Sequence, residues 1–112
     1  MSLEQTGTVA VLAVRGCLDS GTAPVVRGRV ESALEGSRGV VVDLSEVTFF
    51  SADAATALAA ASRRGRLHVV VTPLVRRVLD AAGATGSLDL HDFPAEAREA
   101  AEATARPLLM VG

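Results

Sequence analysis

The chain has 112 residues, of which 49% are hydrophobic and 3% aromatic, and its formal net charge is −2. This length fits a single domain, which we predict over residues 1–112, and the apolar fraction argues against a disordered chain. The charge argues against a nucleic-acid binder that relies on bulk positive charge, and no apolar run reaches the ~20 residues that a membrane-spanning helix needs.

The start of the sequence has no basic region followed by an apolar stretch, so it does not resemble a secretory signal. Cys17 is the only cysteine and cannot form a disulfide within the chain, which fits a reducing compartment. We therefore expect a cytoplasmic protein that does not insert into a membrane.

The first third of the chain predicts two strands and a helix. Residues 8–14 are apolar on both alternating faces, as in a central strand, and residues 3–5 can form a short strand that pairs with it as a hairpin. Residues 15–21 contain two glycines and an aspartate and are predicted to form a turn. A helix is expected over residues 22–36, with Thr22 as its N-cap.

The middle of the chain predicts a buried strand at residues 40–44, a connector at 45–50 and a helix from Ala52 to Ser62. Alanine dominates this helix and favours it strongly, and its small side chains predict that it lies very close to the sheet. The free N–H groups of its first turn point towards the connector. This strand-to-helix corner is the first candidate for a functional surface.

The remainder continues the alternation and ends in an apolar tail. We predict a strand at 67–71, a helix from Thr72 to Gly83, a short strand at 88–91, a helix at 94–105 and a tail at 106–112. Strands that alternate with helices indicate an α/β layer fold.

Candidates for chemistry are isolated in the sequence. His68 and His91 lack the spacing of metal ligands, so we expect structural histidines, with a metal or acid–base role as the alternative. Cys17 is expected to be a small apolar residue at a strand end, although a reactive thiol is the alternative. No motif for a cofactor or a metal is present.

Three aspartates stand at predicted turns or strand ends, where an α/β fold could bring them together: Asp19, Asp43 and Asp53. Such carboxylates could bind a divalent cation or transfer protons. The competing interpretation is structural: Asp19 belongs to a turn, Asp43 ends a strand and Asp53 complements a helix N-terminus. We favour the structural interpretation.

Three stretches make the chain resemble the STAS domain family, the bacterial anti-sigma factor antagonists. Residues 16–19 (GCLD) are similar to the family's G-x-L-D turn, residues 40–50 (VVVDLSEVTFF) to its strand and connector, and residues 76–83 (RRVLDAAG) to a later helix. The resemblance covers nearly the whole chain in unbroken order. It implies a STAS-like domain with a mixed sheet of four to five strands and about four helices.

In this family the helix after the connector typically opens Asp-Ser-Ser-Gly-Leu, and a partner anti-sigma factor kinase phosphorylates the first serine. The resemblance places Ser51, Ala52, Asp53, Ala54 and Ala55 at those positions. The phosphoacceptor position is therefore Ala52, which has no hydroxyl group.

Three explanations follow for this difference. Ser51 could replace the acceptor one residue early, although an N-cap serine already uses its oxygen for backbone N–H groups. Asp53 could supply a permanent negative charge, with one unit where a phosphoryl group has about two. The interpretation that we prefer is a domain that has lost the switch and binds constitutively.

The resemblance thus implies a non-enzymatic interaction domain whose partner is an ATP-binding, kinase-like anti-sigma factor, with a role in transcription regulation. The predicted partner-binding residues are Asp19, Ser51, Ala52, Asp53 and Thr56, with Arg27 beside them. Two other functions remain open: an accessory STAS subunit of an ABC-type transporter, and a sensor of small molecules or anions that uses the helix N-terminus. A homodimer is also possible. No cofactor is expected.

Overall fold

Strands that are consecutive in the sequence are neighbours in the sheet. The computed structural model describes residues 1–6 and 8–105, and within them one sheet has the order β1-β2-β3-β4-β5. The strands are β1 (Ser2–Thr6), β2 (Val9–Leu18), β3 (Gly39–Phe50), β4 (Leu67–Val70) and β5 (Asp89–His91). β1 and β2 form the predicted antiparallel hairpin, and every later pairing is parallel.

Four α-helices connect or follow the strands in the described part of the chain. They are α1 (Ala23–Gly36), α2 (Ala52–Ala61), α3 (Pro73–Ala81) and α4 (Pro94–Ala105). Two 3₁₀ turns, Ser62–Arg64 and Thr85–Ser87, follow α2 and α3. The predicted α/β architecture, with a mixed sheet and four helices, is confirmed. The predicted tail at 106–112 lies outside the described residues.

Two strands are longer than the sequence predicted. β2 continues to Leu18 through part of the predicted turn, because Gly16 takes a φ of 82° at a register shift and lets the strand bend while it stays paired with β3. The predicted connector at 45–50 is also wrong, since it is the second half of β3. Val47 and Phe50 are buried there, so this segment has the same burial requirement as a strand.

The helices cover the two faces of the sheet unequally. α1, α2 and α3 pack over one face, where the larger core includes Leu12, Val42 and Leu58. On the opposite face, α4 is the only helix of the described residues, and it packs against Val41 and Val70. The sheet is therefore buried on both faces, as the β-branched sequences of its central strands predicted.

The alanines of α2 were predicted to bring this helix very close to the sheet, but they pack it mainly against a neighbouring helix. The helix packs most closely against α1, and next against α3, instead of lying very close to the sheet. Ala54, Ala55 and Ala61 are buried in the core that lies between these helices and the sheet. Small side chains here allow two helix backbones to approach each other.

Side chains cap two of the described helices, at the predicted cap Ser51 and at Thr72, which was predicted only as a helix start. The Ser51 oxygen accepts the Ala54 N–H at 3.1 Å, and the Thr72 oxygen accepts the Val75 N–H at 3.2 Å. Thr22 lies at the N-cap of α1, but its hydroxyl makes no capping hydrogen bond. None of the described helices is long and apolar enough to cross a membrane.

Candidate functional site

The parallel strands direct four helix N-termini to one edge of the sheet. Because α1, α2, α3 and α4 each follow the end of a parallel-sheet strand, each begins at the carboxyl edge. The predicted strand-to-helix corner lies at this edge, between β3 and α2. Its position follows from the topology and from the cap that starts α2.

Ser51 begins α2 and ties it to the neighbouring strand. Its oxygen accepts from Ala54, its carbonyl accepts the Ala55 N–H at 3.1 Å, and its own N–H donates to the Leu18 carbonyl at 3.0 Å. Ala52 and Asp53 follow in the first turn and are both exposed. Ala52, which the resemblance places at the acceptor position, is thus accessible but has no oxygen to modify, whereas the adjacent hydroxyl is engaged with the backbone.

The Asp19 turn lies beside this corner because the Ser51–Leu18 hydrogen bond joins the two segments. One Asp19 carboxylate oxygen accepts from the N–H groups of Gly21 and Thr22, both at 3.0 Å, and from the Thr22 hydroxyl at 3.2 Å. The hydrogen bonds from Thr22, backbone first, lower the pKa of the Asp19 carboxyl below its ordinary value. Asp19 is therefore a fixed negative charge with a structural role in the turn.

A shallow pocket of about 290 Å³ separates the first turns of α1 and α2. Alanine and proline side chains line part of this pocket. The polar residues Arg27, Asp53 and Thr56, which the sequence analysis named as candidates for partner binding, also line it. Arg27 is held by an ion pair with Glu31 at 2.9 Å. The hydrogen bond from Arg27, and the charges of Arg64 and Arg27, lower the pKa of Glu31. Three of the residues named in the sequence analysis, Arg27, Asp53 and Thr56, thus line one pocket.

Exposed apolar side chains also collect at the carboxyl edge, and the sequence reasoning missed them. Phe49 is 52% exposed at the end of β3, and Val25, Leu74 and Phe93 are exposed where α1, α3 and α4 begin. Three phenylalanines are the only aromatic residues besides histidine, and one lies three residues before Ala52. This proximity to the predicted site was the sequence feature that could have identified Phe49 as a surface residue of the site.

We refer to the following residues as the edge surface: Asp19, Val25, Arg27, Phe49, Ser51, Ala52, Asp53, Thr56, Leu74 and Phe93.

The three aspartates do not form one site. Asp43 lies within β3 and binds the N–H and hydroxyl of Ser45 at 3.0 and 2.7 Å. It lines a separate depression of about 320 Å³ with Arg15 and Glu46. The structural interpretation agrees with the positions of Asp19 and Asp53, but the prediction that Asp43 ends a strand is wrong, because β3 continues to Phe50.

The cysteine and the histidines differ from their predicted surroundings. Cys17 lies near the end of β2 but is exposed instead of packed as an apolar residue. His68 and His91 are not isolated, because their ring nitrogens lie 3.1 Å apart on adjacent strands. Within residues 1–6 and 8–105, no group of three or more histidine, cysteine or acidic side chains could hold a metal ion.

Solved structures that are similar to this chain include anti-sigma factor antagonists. A crystal structure of an anti-sigma factor antagonist from Mycobacterium paratuberculosis has a TM-score of 0.80 and 25% identity, over 90% of this chain and 92% of that one. The anti-sigma factor antagonist SpoIIAA in its unphosphorylated form gives 0.71 and 17%, over 94% and 98% of the two chains. The Bacillus cell fate determinant SpoIIAA in its phosphorylated form gives 0.66 and 18%, over 88% and 96%.

Sequence comparison identifies the family. No curated protein matches the chain. The family model described as "Mlab, STAS domain" matches residues 1–92, which include every strand that the structure describes and the helices α1 to α3. The chain therefore belongs to the STAS domain family.

Proposed function

We propose that this STAS domain is a non-enzymatic antagonist of an ATP-binding anti-sigma factor, which it binds through the edge surface without a serine phosphorylation switch. The proposal rests mainly on the first turn of α2. Ala52, which the resemblance places at the acceptor position, is exposed and has no hydroxyl group, and the adjacent Ser51 hydroxyl serves as the N-cap. ATP would belong to the partner.

The composition of the edge surface supports a protein partner. Exposed Phe49 supplies an apolar contact of the kind that concentrates in protein interfaces. The pocket between α1 and α2 offers an arginine and an aspartate that can pair with charges of a partner. The anti-sigma factor antagonist from Mycobacterium paratuberculosis, at 25% identity, supports the same class of partner.

The first test is binding to an ATP-binding anti-sigma factor from the source organism, measured by isothermal titration calorimetry. Ala52→Arg places a long charged side chain in the first turn of α2 and should weaken binding at least about tenfold. Ala103→Arg makes the same change at an exposed alanine of α4, on the other face, and should leave affinity unchanged. Equal effects of the two variants, or no binding by the unaltered protein, would overturn the proposed surface.

The second test separates constitutive binding from a shifted switch. After incubation with the anti-sigma factor and ATP, we expect the intact mass of this protein to remain unchanged, whereas Ala52→Ser should gain one phosphoryl group. A phosphoryl group on Ser51 of the unaltered protein would contradict the loss of the switch.

The same purified protein distinguishes the alternative functions. Copurification with ABC transporter subunits from the source cell, in place of an anti-sigma factor, would favour the accessory-subunit function. A rise in melting temperature with phosphate, nucleotides or fatty acids would favour a ligand sensor, because a ligand that binds only the folded state stabilises it.

A further inference from the structure

The pocket between the first turns of α1 and α2 contains polar groups that the folded chain leaves unused. Asp53, Ser20 and Thr56 line this pocket and are exposed. Their side chains make no hydrogen bond or ion pair with any residue that the structure describes. Three side chains with oxygen atoms are therefore available to a group that enters the pocket from outside.

The positive charge of Arg27, which also lines the pocket, is already balanced. Arg27 Nε donates to a carboxylate oxygen of Glu31 at 2.9 Å. Nε of Arg64 lies 3.7 Å from the same oxygen, and Nη1 of Arg64 lies 3.4 Å from a carboxylate oxygen of Glu35. The formal charges of these two arginines and two glutamates cancel. Arg27 thus adds little net attraction for an anion.

The remaining charges around the pocket give it a negative balance. Asp53 has no counter-ion within the described residues, and Asp19, which precedes Ser20 in the chain, supplies a second carboxylate. The N-termini of α1 and α2 oppose these carboxylates with about half a positive charge each, so the two carboxylates outweigh the two helix ends. The pocket therefore favours a cation over an anion.

The apolar part of the pocket determines which cation fits. Ala23, Pro24 and Ala57 line it, and its volume of about 290 Å³ has room for one extended side chain. The aliphatic part of an arginine can pack on these three residues while its charged end stays at the rim. A guanidinium group has five N–H donors and no acceptor, which matches one carboxylate and two hydroxyl oxygens. Arginine is also enriched in protein interfaces.

We propose that this pocket binds an arginine side chain of the partner, and that Asp53 is the residue that selects it. The inference rests on the proposed function, because the partner is the protein that binds the edge surface. In this arrangement the negative charge of Asp53 strengthens binding. The alternative, in which Asp53 imitates a phosphoryl group that weakens binding, predicts the opposite effect when the charge is removed.

Calorimetric titration with the anti-sigma factor tests the sign of the Asp53 contribution. Asp53→Asn keeps the shape of the side chain but removes its charge, and should lower affinity about tenfold. Added salt should then weaken binding by this variant less than binding by the unaltered protein. Asp80→Asn makes the same change at an exposed position of α3 outside the pocket and should leave affinity unchanged. Unchanged or tighter binding by Asp53→Asn would overturn the proposal.

A charge exchange identifies the partner's side chain. Each arginine of the anti-sigma factor is changed to glutamate in turn, and one of these variants should lose affinity for the unaltered protein and regain it with Asp53→Arg. If Asp53→Arg rescues none of them, the proposal is wrong.

A small probe tests the pocket without the partner. N-acetyl-arginine amide, added to the ¹⁵N-labelled protein at low ionic strength, should shift amide resonances of residues 20–27 and 53–57 in nuclear magnetic resonance spectra. N-acetyl-citrulline amide has nearly the same shape but no charge and should shift them much less. Equal shifts with the two probes, or shifts that persist in Asp53→Asn, would overturn the pocket. If the unaltered protein does not bind the anti-sigma factor, the proposed function fails, and this titration still decides on the pocket.

Discussion

The oxygen of Ser51 has a partner in the backbone, and this contact predicts the cost of its removal. Ser51→Ala leaves the Ala54 N–H without its capping acceptor and should lower the free energy of unfolding by about 1 kcal/mol in urea denaturation. Ser32→Ala, at an exposed position within α1, is the matched control and should cause no loss, because alanine is the better helix former. Equal effects would contradict the capping role.

The charge of Asp19 depends on its neighbour Thr22. Its lowered pKa means that ionised Asp19 stabilises the folded state above the ordinary carboxyl pKa, and that this contribution is lost as the pH falls through the lower folded value. Thr22→Val removes the hydroxyl donor and should raise the Asp19 pKa towards its ordinary value in a carbon-detected titration. Thr48→Val, at an exposed site in β3, should leave it unchanged.

At the scale of single residues, the sequence predicted roles that depend on nearby residues in the chain better than it predicted contacts between residues far apart in the chain. The Ser51 cap could be predicted because its partner lies three positions away. The contact between His68 and His91 could not, since 23 positions separate them and only strand pairing brings them together. Phe49 was missed because its exposure depends on where β3 ends relative to the helices.

At the scale of elements, Gly39 allows α4 to approach the sheet. A Cβ atom at this position would overlap the backbone carbonyl of Ala101, so Gly39→Ala must displace the helix or the strand. We expect a loss of about 1–3 kcal/mol in urea denaturation, as for overpacked cores.

Gly28→Ala is the matched control for this prediction. Gly28 lies within α1 with open space where a Cβ would be, so alanine should stabilise the helix by up to about 1 kcal/mol. A stabilised Gly39→Ala protein would contradict the close approach of α4.

The elements and their order were predictable, but two lengths and one packing contact were not. The β-branched and aromatic residues of 47–50 were attributed to a connector because the continuous β-branched run that indicates the strand ends at residue 44. Their pairing with β2 extends β3 instead. The packing of α2 against α1 depends on distances between elements, which local periodicity does not encode.

At the scale of the whole molecule, ionisable groups predict a two-stage response to acid. The lowered pKa of His68 means that stability is complete above about 6.5, the ordinary histidine value, and falls as the pH approaches the folded value. Asp19, Glu31 and Asp89 also have lowered pKa values, so a second decline should follow below about pH 4.

Urea denaturation midpoints between pH 7.5 and 3 check this response. His68→Gln should remove the upper stage and leave the lower one. A midpoint that stays constant from pH 7.5 to 5 in the unaltered protein would contradict it. The predicted single domain over 1–112 and the possible homodimer stay predictions at this scale.

The identity between sheet order and chain order has a consequence for biosynthesis. Each strand pairs with the strand made immediately before it, so the sheet can grow from β1 to β5 in the order in which a ribosome releases them. Within the described residues, no strand has to wait for a later one to fill a gap beside it. α4 leaves after all of these strands, and until it docks one apolar face of the growing sheet stays open to chaperones and to other nascent chains.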